Sequence, residues 1–94
     1  MGILVRGLIV LFSTSMMFVK HVVLKILGNR IRQKRKSLNW TQEHLADKAT
    51  IDRSYIGGVE RGERNLTFTI LCQICAALNC DVAELTKGIS DLPQ

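Results

Sequence analysis

The stretch Trp40–Arg61, WTQEHLADKATIDRSYIGGVER, decides the fold. It reads as a short helix, a tight turn and a second short helix. Thr41 is a good N-cap, because its hydroxyl accepts from a free backbone N–H at a helix start. Trp40 before it and Leu45 four residues after it have the spacing of a hydrophobic staple. His44 stands where Glu or Gln would complete a capping box, so the box is half present. The pattern then repeats, with Asp52 as N-cap and Ile51 and Ile56 as the second staple. Caps 11 residues apart leave room for one helix of about two turns between them. The reading predicts a first helix over Thr41–Ala49 and a second over Asp52–Arg61.

The composition of the second helix is informative. Ile51, Ile56 and Val59 can turn inward. Arg53, Ser54, Gly57 and Gly58 fall mainly on the other face, with Tyr55 at its margin. Two adjacent glycines in a helix cost about 1 kcal/mol each against alanine, and close approach to a partner's backbone is the usual compensation. A polar face of Arg, Ser and Gly at the start of the second helix of such a pair suits the DNA major groove. A solvated face on a small helical domain accounts equally well for composition alone.

Thr41-Gln42-Glu43, Leu45-Ala46, Asp52-Arg53-Ser54-Tyr55-Ile56, Val59-Glu60-Arg61-Gly62 and Arg64-Asn65-Leu66-Thr67 resemble the Cro/phage-repressor helix-turn-helix family. Within it, the run DRSYIGGVERGERNLT is most similar to the controller proteins of restriction–modification systems. The resemblance covers about 27–85, and it implies an all-α, lambda-repressor-like domain of five helices that binds DNA.

Ninety-four residues allow one domain with a small core. Hydrophobic residues are 47% and aromatics 5%, so the core should be aliphatic. The net charge of +5 fits a polyanionic partner but is unevenly spread. Residues 1–37 hold eight Lys or Arg and no acid, whereas residues 38–94 carry a net −3. The second half is therefore not a basic block, and Arg53, Arg61 and Arg64 must act locally.

Residues 1–19 form an apolar extension ahead of a domain over 20–94. Gly7–Val19 is an uncharged run of 13 residues bounded by Arg6 and Lys20, short of the ~20 that span a membrane. Four readings stand. It is an extra segment ahead of a start at Met16 or Met17. It is an arm packing on the body or on a second subunit. It is a signal peptide, although export suits a DNA-binding domain poorly. Or it anchors the chain to a membrane.

The first helix of the domain is expected over Lys20–Ser37, with Val23, Leu27 and Ile31 inward and Leu24 beside them. The cations Arg30–Lys36 match the helix macrodipole, and contact with DNA phosphates is the other reading. Lys34 stands where the family usually has an apolar residue, and Leu38 where it has a polar one. Gly62 can close the second motif helix in the left-handed conformation. Thr67 can cap a helix over Phe68–Leu78, with Leu71, Ile74, Cys75 and Leu78 inward. Asp81 can cap a last short helix from Val82 to Leu85, and Ser90–Gln94 reads as a tail.

Cys72, Cys75 and Cys80 are expected as small apolar thiols, since a structural zinc site needs four ligands and neither His21 nor His44 makes a paired-ligand motif. An odd cysteine count argues against a disulfide framework. No metal, cofactor or enzyme signature is present, and a cytoplasmic, nucleoid-associated protein is expected.

By position and by resemblance, the DNA-facing residues are Gln42, Arg53, Ser54, Tyr55, Gly57, Arg61, Arg64, Asn65 and Thr67. Gln42 starts the first motif helix, where an N-terminus meets a phosphate. Arg53 is the base reader, since its guanidinium matches guanine O6 and N7; an ion pair with Glu43 or Asp52 is its alternative. Arg61, Arg64, Asn65 and Thr67 resemble the family's backbone clamp, with solvent pairs to Glu60 and Glu63 as the alternative for the two arginines. The resemblance further implies a homodimer on an inverted-repeat operator in double-stranded DNA. Its interface candidates are Phe68, Ile70, Cys80, Val82 and Leu85, each equally readable as core. It also implies that Glu43 and Asp47, four apart on one helix face, touch RNA polymerase. Three classes of function compete: a controller activating and repressing restriction–modification genes, a phage-type repressor or antitoxin-like autorepressor, and a membrane-linked or partner-binding helical module.

Overall fold

A computed structural model describes the backbone of residues 2–91 and the side chains of residues 17–91. Met1 and residues 92–94, with Pro93 of the expected tail, lie outside the described residues. Five helices follow one another: α1 Gly2–Ser37, α2 Gln42–Ala49, α3 Arg53–Glu60, α4 Phe68–Ala77 and α5 Val82–Thr86. The fold is all-α, as expected.

The first helix differs from expectation in length. It does not begin at Lys20 but runs unbroken from Gly2 over 36 residues, about 54 Å at 1.5 Å per residue. No proline interrupts it, and Lys34 and Lys36 sit in its last turn, where cations match the dipole. It ends where Asn39 takes a left-handed φ of 59° and Trp40 N–H donates to the Arg35 carbonyl at 3.2 Å.

The predicted caps form. Thr41 accepts from His44 N–H at 3.0 Å and Asp52 accepts from Ser54 N–H at 3.1 Å. Thr67 accepts from Ile70 N–H at 3.2 Å. Asp81 precedes α5 but makes no side-chain cap bond. The turn between α2 and α3 hinges on Thr50, at φ 57°. This is an uncommon state for a β-branched residue, held by the Ile51 N–H bond to the Ala46 carbonyl at 2.9 Å. Gly62 takes φ +76°, as its role in closing α3 predicts, and a Cβ there would stand 2.9 Å from Lys25 Cα.

The core is aliphatic. Ile31, Leu45, Ile56 and Ile74 have no exposed surface, and Leu27, Val59, Leu71, Cys75 and Leu78 surround them. Truncating one of the four to alanine should cost about 2–5 kcal/mol. Trp40 and Ile51 pack on the core from their staple positions. Gly28 explains how α1 lies so close to α3: a Cβ there would stand 2.3 Å from the Val59 carbonyl oxygen. Two expectations at the helix ends resolve simply. Lys34 stays at the rim, 3.4 Å from Glu84, and Leu38 is exposed. Leu85, expected at a subunit interface, is a core residue only 4% exposed. It faces inward where α5 packs on α1 and α4, with Val82 of the same helix against the core beside it.

Candidate nucleic-acid interface

The helix-turn-helix pair is held by one buried network joining three helices. The Glu60 carboxylate at the end of α3 accepts from Arg35 of α1 twice, Nε at 2.7 Å and Nη2 at 2.9 Å. It accepts a third bond from Gln42 Nε2 of α2 at 3.1 Å. Arg35 Nη1 donates to the Trp40 carbonyl at 2.7 Å. The ion-pair side chains are 9% and 2% exposed. The bond to Glu60 holds the Arg35 guanidinium above its ordinary pKa. Sequence reasoning missed this network. Two readings are corrected by it: Arg35 is not a solvated dipole-matching cation, and Glu60 does not pair with Arg61 in solvent. The available signal was register, since Arg35 follows Ile31 by four and so falls on the inward stripe of α1.

Gln42 starts α2 as expected, with its side-chain amide committed to Glu60. Gly57 and Gly58 are buried, which corrects their placement on an open polar face. A Cβ at Gly57 would stand 3.1 Å from Arg61 Nη1 and 3.5 Å from Gln42 Oε1. At Gly58 it would stand 3.1 Å from Arg64 Cγ. The close neighbours that the two glycines accommodate are side chains of the same chain.

Arg64 lies across Gly58 with its guanidinium carbon 5.4 Å from the centre of the half-buried Tyr55 ring, a cation–π placement. Tyr55 is thus both an edge residue of the core and the seat for an arginine. Arg61 pairs in solvent with Glu63, Nε to Oε1 at 3.1 Å. That bond raises the Arg61 pKa and lowers that of Glu63. Ser54 donates both its N–H and its hydroxyl to Asp52. The hydroxyl bond is the largest of the causes that hold the Asp52 carboxyl below its usual range. Thr67 is engaged as the α4 cap, and its hydroxyl shares a bond of 3.3 Å with Thr69. Asn65 is exposed.

Arg53 stands apart. It is exposed on the first turn of α3 and has no ion-pair partner among the described residues, neither Glu43 nor Asp52. Glu43 and Asp47 are exposed on α2. Of the interface candidates, Phe68 is 71% exposed, while Ile70, Cys80 and Val82 are half-buried against the core. Burial pushes the Cys75 thiol up to about 12, and all three cysteines are free.

This geometry has close counterparts. Residues 31–85 match the family model described as a helix-turn-helix. Control protein C.SmaI of Serratia marcescens is 43% identical over 61 residues, which make up 65% of this chain and 73% of that protein. The crystal structure of the restriction–modification controller protein C.AhdI from Aeromonas hydrophila superposes with a TM-score of 0.65 at 40% identity, covering 66% of this chain and 94% of that one. A further controller protein, a tetramer in complex with its natural 35 base-pair operator, matches with a TM-score of 0.66 at 33% identity, covering 73% of this chain and 91% of its own. The chain belongs to the helix-turn-helix family of DNA-binding transcription regulators, among whose members it is similar to restriction–modification control proteins.

Proposed function

We propose that the chain is a controller-type regulator that binds an inverted-repeat operator as a homodimer and both activates and represses restriction–modification genes. Residues 20–94 are the DNA-binding unit and residues 1–19 an extension to it. Arg53 carries this reading: it is an exposed guanidinium without an acidic partner among the described residues, on the first turn of a helix whose other face is committed to the core. A guanidinium so placed reads guanine bidentately. Arg64, steadied by Tyr55 and Gly58, contacts phosphate, and Arg61 and Asn65 border it. The exposed Phe68, with Ile70, Cys80 and Val82 around it, is the dimer anchor. Dimers of this kind set two α3 helices about 34 Å apart in successive major grooves. Selection of binding duplexes from a random pool should return inverted repeats with that spacing. Recovery of no preferred sequence, with the protein folded, overturns the reading.

Activation falls to Glu43 and Asp47. In this orientation α2 crosses the DNA backbone, and two carboxylates facing phosphates would be repelled. They point instead toward a neighbouring protein on the promoter, RNA polymerase. Glu43→Gln with Asp47→Asn should bind the operator as well as the parent or slightly better. It should lose activation in purified transcription while keeping repression at an overlapping site. Full activation by the double variant removes the patch.

A further inference from the structure

Ahead of the core, α1 runs past the loop that follows α3. Phe18, His21 and Lys25 recur at helical spacing and line a cleft of about 1010 Å³ whose opposite wall is Arg61, Gly62 and Glu63. The walls meet at Gly62, where a Cβ would stand 2.8 Å from Lys25 Cγ and 2.9 Å from Lys25 Cα. The stem of Lys25 therefore packs on this loop, and Lys20 lines the same cleft. The charges gathered here do not cancel. Lys20, Lys25, Arg61 and Arg64 surround the Glu63 carboxylate, which Arg61 already holds at 3.1 Å. Glu60, the neighbouring acid, is sealed with Arg35. Lys20, Lys25 and Arg64 have no ion-pair partner among the described residues. The Arg61 hydrogen bond first, and then the charges of Arg61, Arg64 and Lys25, hold the Glu63 carboxyl below its ordinary range. Lys25 thus shares the electrostatic surroundings of the loop arginines.

We propose that this cleft seats the sugar–phosphate backbone of one DNA strand, with Lys25 and Lys20 on phosphodiesters beside those that Arg64 reaches. The proposal rests on Arg53 and Arg64 facing DNA. Place selects the occupant. The cleft opens beside the loop that carries Arg64, so a strand held by Arg64 passes its mouth. Charge agrees, because unpaired cations in a row release counterions from successive phosphates. Phe18, at 56% exposed, offers apolar surface to the carbon face of deoxyribose. An acidic peptide matches the charge alone, whereas a DNA strand matches both charge and place. Lys20 and Lys25 precede residues 31–85, the part of the chain that matches the family model. They extend the phosphate clamp through α1, which is continuous to Ser37. A phosphate contact carries no base information, so the gain is affinity for any duplex, and base preference stays with Arg53.

Fluorescence anisotropy of the selected operator, repeated over a range of salt, tests this in the full-length chain. Lys25→Gln should weaken binding about fivefold near about 0.15 M salt and make the salt slope shallower by about 0.9. Adding Lys20→Gln should do the same again, and a random duplex should show the same losses. Lys25→Met keeps the stem on Gly62 but removes the charge, so it should match Lys25→Gln. Lys25→Arg should stay within about twofold of the parent. Lys87→Gln, beyond α5, should change affinity less than about twofold. Ethylation of operator phosphates should interfere with the parent at positions that drop out in the double lysine variant, while those lost in Arg64→Ala persist. Thermal unfolding of each variant confirms an intact domain. Full affinity in Lys25→Met assigns Lys25 to packing on Gly62 and overturns the proposal, as does a shallower slope with an unchanged ethylation pattern. A folded chain that binds no duplex overturns the regulator reading as well. Operator binding that both lysine variants match overturns this proposal alone and leaves the cleft to an acidic peptide.

Discussion

Glu60 and Arg61 are neighbours in the chain, and each joins an arginine–carboxylate pair. Glu60 with Arg35 closes at 2.7 Å and Arg61 with Glu63 at 3.1 Å. The distances differ little, but the surroundings differ greatly. The first pair is sealed between α1, α2 and α3, and the second has about 60% of each side chain in water. Removing one partner of a buried pair strands an uncompensated charge, whereas an exposed pair is screened by solvent and salt. The same chemistry therefore builds the scaffold on one side of a peptide bond and an adjustable surface on the other.

The largest effect should come from the buried side. Glu60→Ala strands Arg35 and frees Gln42, and should cost about 3–5 kcal/mol of folding stability. That is a large share of the ~5–15 kcal/mol typical of a domain. Denaturant unfolding measures it, and a loss under about 1 kcal/mol would mean that solvent reaches the pair. Next is Arg53→Ala, which should leave stability unchanged and cost about 1–3 kcal/mol of binding to the selected operator. Arg64→Ala should weaken binding to all sequences alike and flatten its salt dependence. Equal loss on operator and random DNA for Arg53→Ala removes it as the base reader.

Smaller again is Glu63→Ala, which opens the exposed pair. The denaturation midpoint should not move measurably. Arg61, released from its acid, becomes available to phosphate, so DNA affinity should rise and its salt slope steepen. An unfolding midpoint that falls as far as in Glu60→Ala would erase the contrast between the two pairs.

The contrast also marks what could be read from the sequence. Caps at Thr41, Asp52 and Thr67 were legible because a cap is a local arrangement of a few residues. The inward residues of α4 followed from helical period. Arg35–Glu60 was not legible as a pair, because it joins residues 25 apart and their proximity depends on the α1–α3 approach that Gly28 permits. Leu85 stayed open between interface and core, because a five-residue helix has too little period to define a face; the structure places it in the core. The exposed candidates fared differently. Arg53 and Phe68 are open to solvent as expected, while Arg61, Ser54 and Thr67 are each already engaged by a neighbour two or three residues away.

Ser54 gives the finest division between scaffold and reading surface. It lies beside Arg53 on the exposed start of α3, yet its hydroxyl donates to Asp52. That bond, ahead of the backbone N–H groups of Ser54 and Tyr55, holds the Asp52 carboxyl below its ordinary value. A carboxyl depressed in the folded state contributes stability above its unfolded pKa, near ~3.9. That contribution is lost as pH falls through the folded pKa. Ser54→Ala removes the leading cause, so the Asp52 pKa should rise toward the ordinary value and the acid loss should begin at higher pH. Carbon-13 titration of the Asp52 carboxyl in both proteins reads this directly. An unchanged titration would show that the hydroxyl is not spent on the cap. Ser54 would then join Arg53 as a free group facing the bases, and Ser54→Ala should alter operator preference instead of acid stability.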